Sequence, residues 1–252
     1  MRTLASLLAT AILASLCPGQ VQGDEIRVAA ASNSRAVLQE LAVRFEKSTD
    51  HELVLIFGST GKHYAQIVNG APFDVFLAAD AERPQKLEAA GLTVKGSRFT
   101  YALGRLVLWS ADDGLVDAER RTLETADFRR LAIANPGLAP YGRAALEVIG
   151  NVGQREGVEG KLVMGENVGQ AFQFVVSGNA ELGLVAWSQL HQDNRPMQGS
   201  WWLVPESLHE PIEQQAVQVK AGKAAQDFLA FLRSENAIEI FRAYGYGVPD
   251  DL

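Results

Sequence analysis

Three observations in this chain of 252 residues predict an α/β fold with two lobes. Short apolar runs alternate with segments of helical spacing, and such alternation produces right-handed crossovers and parallel sheets covered on both faces. The composition, with 47% hydrophobic and 21% charged residues, is that of a globular protein. No internal repeat or Ser/Gly linker divides the chain. We therefore expect two lobes, each with a mixed, mostly parallel sheet flanked by helices, joined by two crossover strands.

The first hundred residues predict three consecutive strand–helix pairs. Each pair is an apolar run followed by a segment of helical spacing: 26–30 with 36–45, 53–57 with 64–68, and 75–78 with 81–90. Gly91 follows the third helix, where a left-handed residue ends many helices.

The rest of the chain predicts a second lobe and a return to the first. Five further strands are expected, at 105–110, 131–134, 161–164, 182–185 and 215–220. Four further helices are expected, at 142–150, 169–177, 224–233 and 237–243. Because the last two helices are expected to return to the first lobe, we assign residues 24–104 and 221–252 to lobe 1 and residues 105–220 to lobe 2.

The N-terminal segment has the layout of a secretory signal peptide. A weakly positive start precedes an uncharged apolar run at 4–16, and small residues flank a cleavage position before Asp24. The run is shorter than the ~20 apolar residues that a membrane-spanning helix needs. Cys17 follows Leu16, whereas a lipoprotein cysteine follows a small residue, so we expect no lipid anchor. Residues 1–23 are therefore predicted to be removed, and the mature protein to be periplasmic.

The net charge of −7 argues against nucleic acid or an anionic membrane surface as the partner, because both are bound through basic patches. The four histidines show no metal-ligand spacing, and no cysteine pair is present to assist them. We therefore expect no resident cofactor and no metal ion ligated by side chains.

Four strand-to-helix turns carry small, hydroxylated or amide residues. They are Ala31-Ser32-Asn33-Ser34, Gly58-Ser59-Thr60-Gly61, the segment 135–142 with Tyr141, and Gly165-Glu166-Asn167-Val168-Gly169. In open α/β sheets, ligands bind beyond the carboxyl ends of the strands. Unpaired N–H groups and the helix dipole favour an anion there. Neutral donors converging from both lobes can hold a dianion without Arg or Lys.

Each turn taken alone has a simpler interpretation. Ser, Thr and Asn before a helix are ordinary N-caps, worth about 1 kcal/mol each. Tyr141 can equally be a core tyrosine with a satisfied hydroxyl. The recurrence of four such turns in one chain is what favours a small-anion site.

The sequence around Ser59 partly matches two enzyme motifs. Ser59-x-x-Lys62 matches the nucleophile pair of penicillin-recognising enzymes, but the companion Ser-Asp-Asn and Lys-Thr-Gly motifs are absent. A phosphate-binding P-loop fails at Ile56 and at His63. We therefore name no catalytic residue.

Several blocks of the sequence resemble the molybdate-binding proteins of bacterial ABC transporters, and the resemblance spans residues 26–248. The blocks are Val28-Ala29-Ala30-Ala31-Ser32, Gly58-Ser59-Thr60-Gly61 with Ala65-Gln66-Ile67, Gly70-Ala71-Pro72-Phe73-Asp74-Val75-Phe76 with Ala79-Asp80, Asn135-Pro136 with Ala139-Pro140-Tyr141-Gly142, Asn167-Val168-Gly169-Gln170-Ala171, and Ile240-Phe241 with Tyr244-Gly245-Tyr246.

The resemblance implies the type II periplasmic-binding fold, with an oxyanion between two hinged lobes and no catalysis. It implies molybdate or tungstate as the ligand and the permease of an ABC transporter as the partner; we expect a monomer. The implied ligand-binding residues are Ser32, Asn33, Ser59, Thr60, Tyr141 and the backbone N–H of Val168. The sequence departs from many members in the first turn, where Asn33 replaces a hydroxyl. It also departs near Trp187, where many members have a tyrosine for which Tyr141 is expected to substitute.

Two other functions stay open on the sequence alone. One is a binding protein or sensor of the same fold for sulfate, phosphate or another small anion. The other is a hydrolase that uses Ser59 and Lys62.

Overall fold

The computed structural model describes residues 23–117, 121–191 and 197–249. The predicted signal peptide, apart from Gly23, lies outside the described residues, and so does Cys17. Within the described ranges, no helix is both long and apolar enough to cross a membrane. The same ranges contain no group of three or more His, Cys, Asp or Glu side chains placed to hold a metal ion.

Strands and helices alternate through most of the described chain. The strands are β1 Glu25–Ala31, β2 Glu52–Gly58, β3 Val75–Leu77, β4 Phe99–Gly104, β5 Leu106–Ser110, β6 Leu131–Ala134, β7 Leu162–Gly165, β8 Leu182–Ala186, β9 Ser200–Leu203 and β10 Ile212–Gln218. The α-helices are α1 Arg35–Ser48, α2 Thr60–Val68, α3 Glu82–Ala89, α4 Arg121–Thr125, α5 Pro140–Asn151, α6 Val168–Val176, α7 Lys223–Leu232 and α8 Glu235–Ala243. Short 3-10 turns stand at Ser32–Ser34, directly before α1, at Trp187–Gln189 and at Glu206–Leu208.

The first sheet has the strand order β2-β1-β3-β10-β4. Strand β1 runs parallel to β2 and β3, whereas β10 is antiparallel to β3 and β4. Val28 and Ala30 pack on one face with α1, α7 and α8, and Ala29 packs on the other face with residues of α2 and α3. Burial on both faces explains why β1 is a nearly continuous apolar run. This sheet and its helices are called the first lobe.

The second sheet has the strand order β7-β6-β8-β5-β9. Strand β6 is parallel to β7 and β8, whereas β5 is antiparallel to β8 and β9. Its strands share one core with Val148 of α5 and Val175 of α6. This sheet with α5 and α6 is called the second lobe. The two mixed sheets flanked by helices confirm the predicted fold class.

The chain passes between the sheets twice, from β4 to β5 and from β9 to β10. The predicted division placed residues 105–220 in lobe 2, whereas β10 hydrogen-bonds with β3 and β4 in the first sheet. The period-2 alternation near the C-terminus predicted a strand there, but periodicity does not specify which strands will pair with it. Helices α7 and α8 pack on the first sheet, as the order of elements predicted.

Two strands are absent from the sequence prediction. Strand β4 lies immediately before Arg105, where the predicted strand 105–110 begins, and β9 contains Trp201 and Trp202. Strand β9 pairs with β5 at the edge of the second sheet, so Trp202 is buried and Trp201 is exposed. The stretch around 112–130, predicted only as polar, contains the short helix α4 among its described residues.

Candidate functional site

All four predicted turns line one small cavity between the two lobes. The cavity is small, with a volume of about 10 Å³. The first lobe contributes Ala31, Ser32, Asn33, Gly58, Ser59, Thr60 and Ala79, and the second lobe contributes Ala139, Pro140, Tyr141, Asn167 and Val168. All six residues predicted to bind the ligand are in this lining, and none of the lining side chains is charged.

Parallel strand pairing places the four turns side by side in two pairs, one pair in each sheet. Ala31 at the end of β1 is in register with Gly58 at the end of β2, so the first two turns leave the same edge of the first sheet. Ala134 at the end of β6 is likewise in register with Gly165 at the end of β7. The carboxyl edges of the two sheets therefore face each other across the cavity, as expected for ligand sites in open α/β sheets.

The lobes also contact each other directly beside the cavity. The Gly61 N–H donates to the Leu138 carbonyl oxygen at 2.8 Å, and a Cβ at Gly61 would stand 3.0 Å from that oxygen. The absence of a side chain at Gly61 is therefore what lets α2 approach the turn before α5.

Three hydroxyl groups in the cavity lining accept a hydrogen bond from the protein. The bonds run from the Gly169 N–H to Ser32 Oγ (3.1 Å), from the Ala79 N–H to Thr60 Oγ1 (3.1 Å) and from Gln214 Nε2 to the Tyr141 hydroxyl (3.2 Å). A hydroxyl carries one proton, and none of these three donates its proton to an acceptor among the described residues. Each is left with a proton to give to a ligand.

Ser59 occupies the N-cap position of α2 without capping it. Its side chain makes no cap hydrogen bond, and its Oγ is buried with no partner among the described residues. A buried hydroxyl without a partner costs about 1–3 kcal/mol, so its presence calls for an explanation. The N-cap interpretation does hold for Asn167, whose side chain accepts from the Gln170 N–H at 3.0 Å.

Three helices begin at the cavity wall. Thr60 is the first residue of α2, Tyr141 is the second residue of α5, and Val168 is the first residue of α6. The first N–H groups of a helix have no acceptor within the helix, and the helix dipole places partial positive charge there. The cavity therefore has positive potential without a cationic side chain.

Asn33 lies in the cavity lining, but its amide hydrogens point elsewhere. Its Nδ2 donates to Gln214 Oε1 at 2.9 Å and to the Tyr246 hydroxyl at 3.0 Å, and its Oδ1 has no partner among the described residues. This differs from the sequence-based expectation of a side-chain amide donor. What Asn33 can still offer a ligand is its backbone N–H, in the 3-10 turn before α1.

A second layer of buried polar residues stands behind the cavity, and the sequence analysis did not identify it as part of the site. It consists of Tyr101, Ser188, Gln214 and Tyr246. Burial raises the pKa of Tyr101, Tyr141 and Tyr246 well above the usual value of a tyrosine. All three phenols therefore stay protonated at physiological pH. Nothing in the local sequence pattern around Gln214 indicates this role.

Lys62 forms an ion pair with Glu166 and makes no hydrogen bond to Ser59. Its Nζ lies 3.2 Å from Glu166 Oε2, across the cleft between the lobes. A serine nucleophile needs a base within hydrogen-bonding distance, and Ser59 Oγ has no such partner among the described residues.

A second set of ion pairs crosses the cleft near α3 and α5. Arg143 on α5 contacts Asp80 at 3.2 Å and Glu82 at 2.8 Å, both in the first lobe. Arg83 pairs with Asp80 and also donates to the Gly137 carbonyl oxygen at 3.2 Å. Hydrogen bonds, first from Lys86 and then from Arg143, lower the pKa of Glu82 to about 2.

Known proteins are similar to this chain in sequence and in fold. A family model described as bacterial extracellular solute-binding protein matches residues 26–247. The molybdate-binding protein ModA of Azotobacter vinelandii is 49% identical over 246 residues, which cover 96% of this chain and 98% of that protein. ModA of Rhodobacter capsulatus is 46% identical over 225 residues, which cover 88% of each chain.

The solved structure of the Azotobacter vinelandii periplasmic molybdate-binding protein matches with a TM-score of 0.87 and 42% sequence identity. The match covers 89% of this chain and 100% of that chain. Sequence and fold agree, and the chain belongs to the bacterial extracellular solute-binding proteins.

Proposed function

We propose that this protein captures molybdate in the cavity between its lobes and delivers it to the permease of an ABC transporter. The observation that carries the proposal is the convergence of four uncharged, donor-rich turns on one cavity. The two relatives above, named as molybdate-binding proteins, support molybdate as the ligand. We propose Ser32, Ser59, Thr60 and Tyr141 as hydroxyl donors, with the backbone N–H groups of Asn33 and Val168.

The chemistry of the donors suits a fully deprotonated oxyanion. The three hydroxyls that already accept a protein N–H each keep a proton for a ligand, and so does the Ser59 hydroxyl. Hydrogen bonds from neutral groups to a charged ligand are each worth about 1.5–3 kcal/mol in a site shielded from water. Several of them offset the loss of hydration of a dianion, even in a protein whose net charge is −7.

Donor contacts from both lobes give the anion a means of closing the cleft. An open form would offer the ligand only the donors of one lobe, so the ligand stabilises the closed form through the contacts that it adds. Tungstate has nearly the same chemistry, and we include it as a ligand. Molybdate, tungstate and sulfate carry the same charge near neutral pH, so cavity size is proposed to separate them.

We further propose that residues 1–23 act as a signal peptide, that the mature protein works in the periplasm, and that it is a monomer. No catalytic step is proposed. Ser59 makes no hydrogen bond to Lys62, which is paired with Glu166, and this supports a binding role over acyl transfer.

Calorimetric titration of the purified mature protein tests the proposal. Molybdate and tungstate are expected to bind at one site per chain, with sulfate and phosphate binding at least tenfold more weakly. If sulfate or phosphate bound more tightly than molybdate, that anion would be the ligand in place of molybdate. If none of the four anions bound, the proposed function would be overturned.

A further inference from the structure

Gln214 is a fully buried glutamine on β10 that joins the two lobes behind the cavity. Its relative exposure is 0%, and it stands where a register shift interrupts the pairing of β10 with β4. Its amide contacts Asn33 and Tyr101 in the first lobe and Tyr141 in the second lobe. It does not line the cavity itself.

The orientation of this amide is set by its neighbours. Gln214 Oε1 accepts from Asn33 Nδ2 at 2.9 Å and from the Tyr101 hydroxyl at 3.0 Å. Rotating the amide by 180° would place its NH₂ group against the NH₂ group of Asn33. The hydrogen-bond network therefore assigns the oxygen to the first lobe and the nitrogen to Tyr141.

Tyr246 fixes the other end of the network. Its hydroxyl donates to the main-chain carbonyl oxygen of Asn33 at 3.1 Å, so it accepts from Asn33 Nδ2 at 3.0 Å. Ser188 of the second lobe donates to the same carbonyl oxygen at 3.1 Å. The Asn33 amide nitrogen therefore donates both to Tyr246 and to Gln214, and Gln214 in turn donates to Tyr141.

This direction decides what Tyr141 can do. Gln214 Nε2 donates to the Tyr141 oxygen at 3.2 Å, so the phenol cannot give its proton to Gln214. No acceptor for that proton lies among the described protein groups. Tyr141 is left as a hydrogen-bond donor at the wall of the cavity.

We propose that Gln214 is a positioning residue for oxyanion recognition. By donating to the Tyr141 oxygen, it directs the Tyr141 hydroxyl proton into the cavity. Because it contacts both lobes, it ties this orientation to the closed arrangement of the lobes. This inference rests on the proposed function. It predicts that the contribution of Gln214 to affinity depends on the Tyr141 hydroxyl, which a purely structural role would not require.

The test is a double-mutant cycle on molybdate affinity with Gln214→Met and Tyr141→Phe. Gln214→Met removes the amide with little change in volume and is expected to weaken molybdate binding about five- to tenfold in the wild-type background. In the Tyr141→Phe background the same change is expected to alter affinity less than twofold, because no phenolic proton remains to be directed. Equal losses in both backgrounds would overturn the proposal.

A second variant keeps the inference testable should Gln214→Met fail to fold. Gln214→Glu retains the shape of the side chain, but a carboxylate only accepts, so the Tyr141 proton would turn towards it and away from the cavity. Molybdate binding at least tenfold weaker is expected, and wild-type affinity would overturn the proposal.

The neighbouring Gln215 supplies matched controls. It is also buried on β10, but among the described residues its side chain bonds to Thr100 and Arg98, both in the first lobe. Gln215→Met and Gln215→Glu are expected to change molybdate affinity less than twofold, whatever they do to thermal stability. A loss as large as that of the Gln214 variants would overturn a specific role for Gln214. A wild-type protein that binds none of the oxyanions fails the proposed function, whereas wild-type binding with unaffected Gln214 variants fails this inference alone.

Discussion

The two lobes meet around the cavity through uncharged groups, whereas they meet at the rim of the same cleft through ion pairs. Ser59, Thr60 and Tyr141 in the interior are each 1% exposed, whereas the side chains of the rim pair Lys62 and Glu166 are 53% and 42% exposed. The rim charges occur in opposite-sign pairs, so they create little net field for an incoming anion. Solvent-exposed pairs of this kind contribute about 0–1 kcal/mol, whereas buried hydrogen bonds to a charged ligand contribute more. We therefore propose that the neutral interior supplies most of the affinity for the ligand and that the rim ion pairs adjust how firmly the lobes close.

The largest effect is expected from an interior donor. Tyr141→Phe should weaken molybdate binding roughly ten- to a hundredfold, because a donor to a charged ligand is worth about 1.5–3 kcal/mol. Calorimetric titration measures the change. Tyr64→Phe removes the same atom from a half-buried residue of α2 outside the cavity and should leave affinity unchanged. A Tyr141→Phe affinity within twofold of the wild type would place the main donors elsewhere.

Ser59→Ala should move stability and affinity in opposite directions. The ligand-free protein should unfold at an equal or higher temperature, because a buried hydroxyl without a partner is removed, whereas molybdate binding should weaken about tenfold. Thermal unfolding with and without molybdate measures both effects.

Ser34→Ala is the matched control for Ser59→Ala. The Ser34 hydroxyl already donates to the Ala31 carbonyl oxygen at 2.7 Å, so its loss should lower stability by about 1 kcal/mol and spare affinity. The interior-donor interpretation would be wrong for Ser59 if both serine variants behaved alike.

His63 is a buried histidine, and its titration tests whether the interior of the protein tolerates a positive charge. Its ring is 3% exposed, and a Cβ on the cavity-lining Gly58 would stand 2.8 Å from its Nε2. Burial, opposed mainly by a hydrogen bond to Gln66, lowers the pKa of His63. Of the charged groups nearby, Lys62 lowers this pKa further and Glu166 raises it.

A histidine with a lowered pKa binds its proton more readily in the unfolded chain. Stability should therefore be lost as the pH falls below the ordinary value of about 6.5, towards the lower pKa of the folded state, by at most ~1.4 kcal/mol per pH unit. Denaturant unfolding at pH 5 to 8 measures the slope. His63→Gln should flatten it, and an unchanged slope would show that another group is responsible.

At the rim, Arg143→Ala should have a modest effect. It removes the ion pairs to Asp80 and Glu82 that cross the cleft, and partly exposed pairs are worth about 1 kcal/mol or less. Molybdate affinity should fall less than about fivefold, through faster release measured by stopped-flow Trp fluorescence. Lys86→Ala removes the other partner of Glu82 within the first lobe and should leave the release rate unchanged. Equal rates of molybdate release from the Arg143→Ala and Lys86→Ala variants would show that the rim ion pairs take no part in closure of the lobes.

The smallest effect is expected at the most exposed pair. Lys62→Ala breaks the contact with Glu166 and should weaken molybdate binding less than about twofold at low ionic strength, with no difference at 1 M salt. The same variant tests the enzymatic alternative. A hydrolytic activity that disappears in Lys62→Ala while molybdate affinity persists would contradict a purely binding role.

The local sequence allowed much of this arrangement to be predicted. Strand and helix positions follow from period-2 and period-3.6 patterns, and a turn between a parallel strand and its helix must lie at the carboxyl edge of a sheet. The turns that contain Ser32, Thr60 and Tyr141 could therefore be identified before their spatial relation was known. The edge strand β9 was missed because it has only four residues, too few to show a period-2 pattern.

The features that could not be predicted from the sequence depend on contacts between residues that are distant along the chain. Gln214 is 181 residues from Asn33 and 73 residues from Tyr141, so no local pattern marks its contacts. For the same reason, the sequence predicted Asn33 as an amide donor, whereas its amide hydrogens are taken by Gln214 and Tyr246. The strand predicted at 215–220 was likewise assigned to lobe 2, whereas β10 pairs with β3 and β4 in the first sheet.

Residue types and short-range periodicity were enough to predict the fold class and the neutral chemistry of the four turns. Which donors keep a proton for the cavity depends instead on contacts made in the folded protein. A hydroxyl or amide can point in either direction, and the direction is chosen by whichever buried groups from other parts of the chain compete for it.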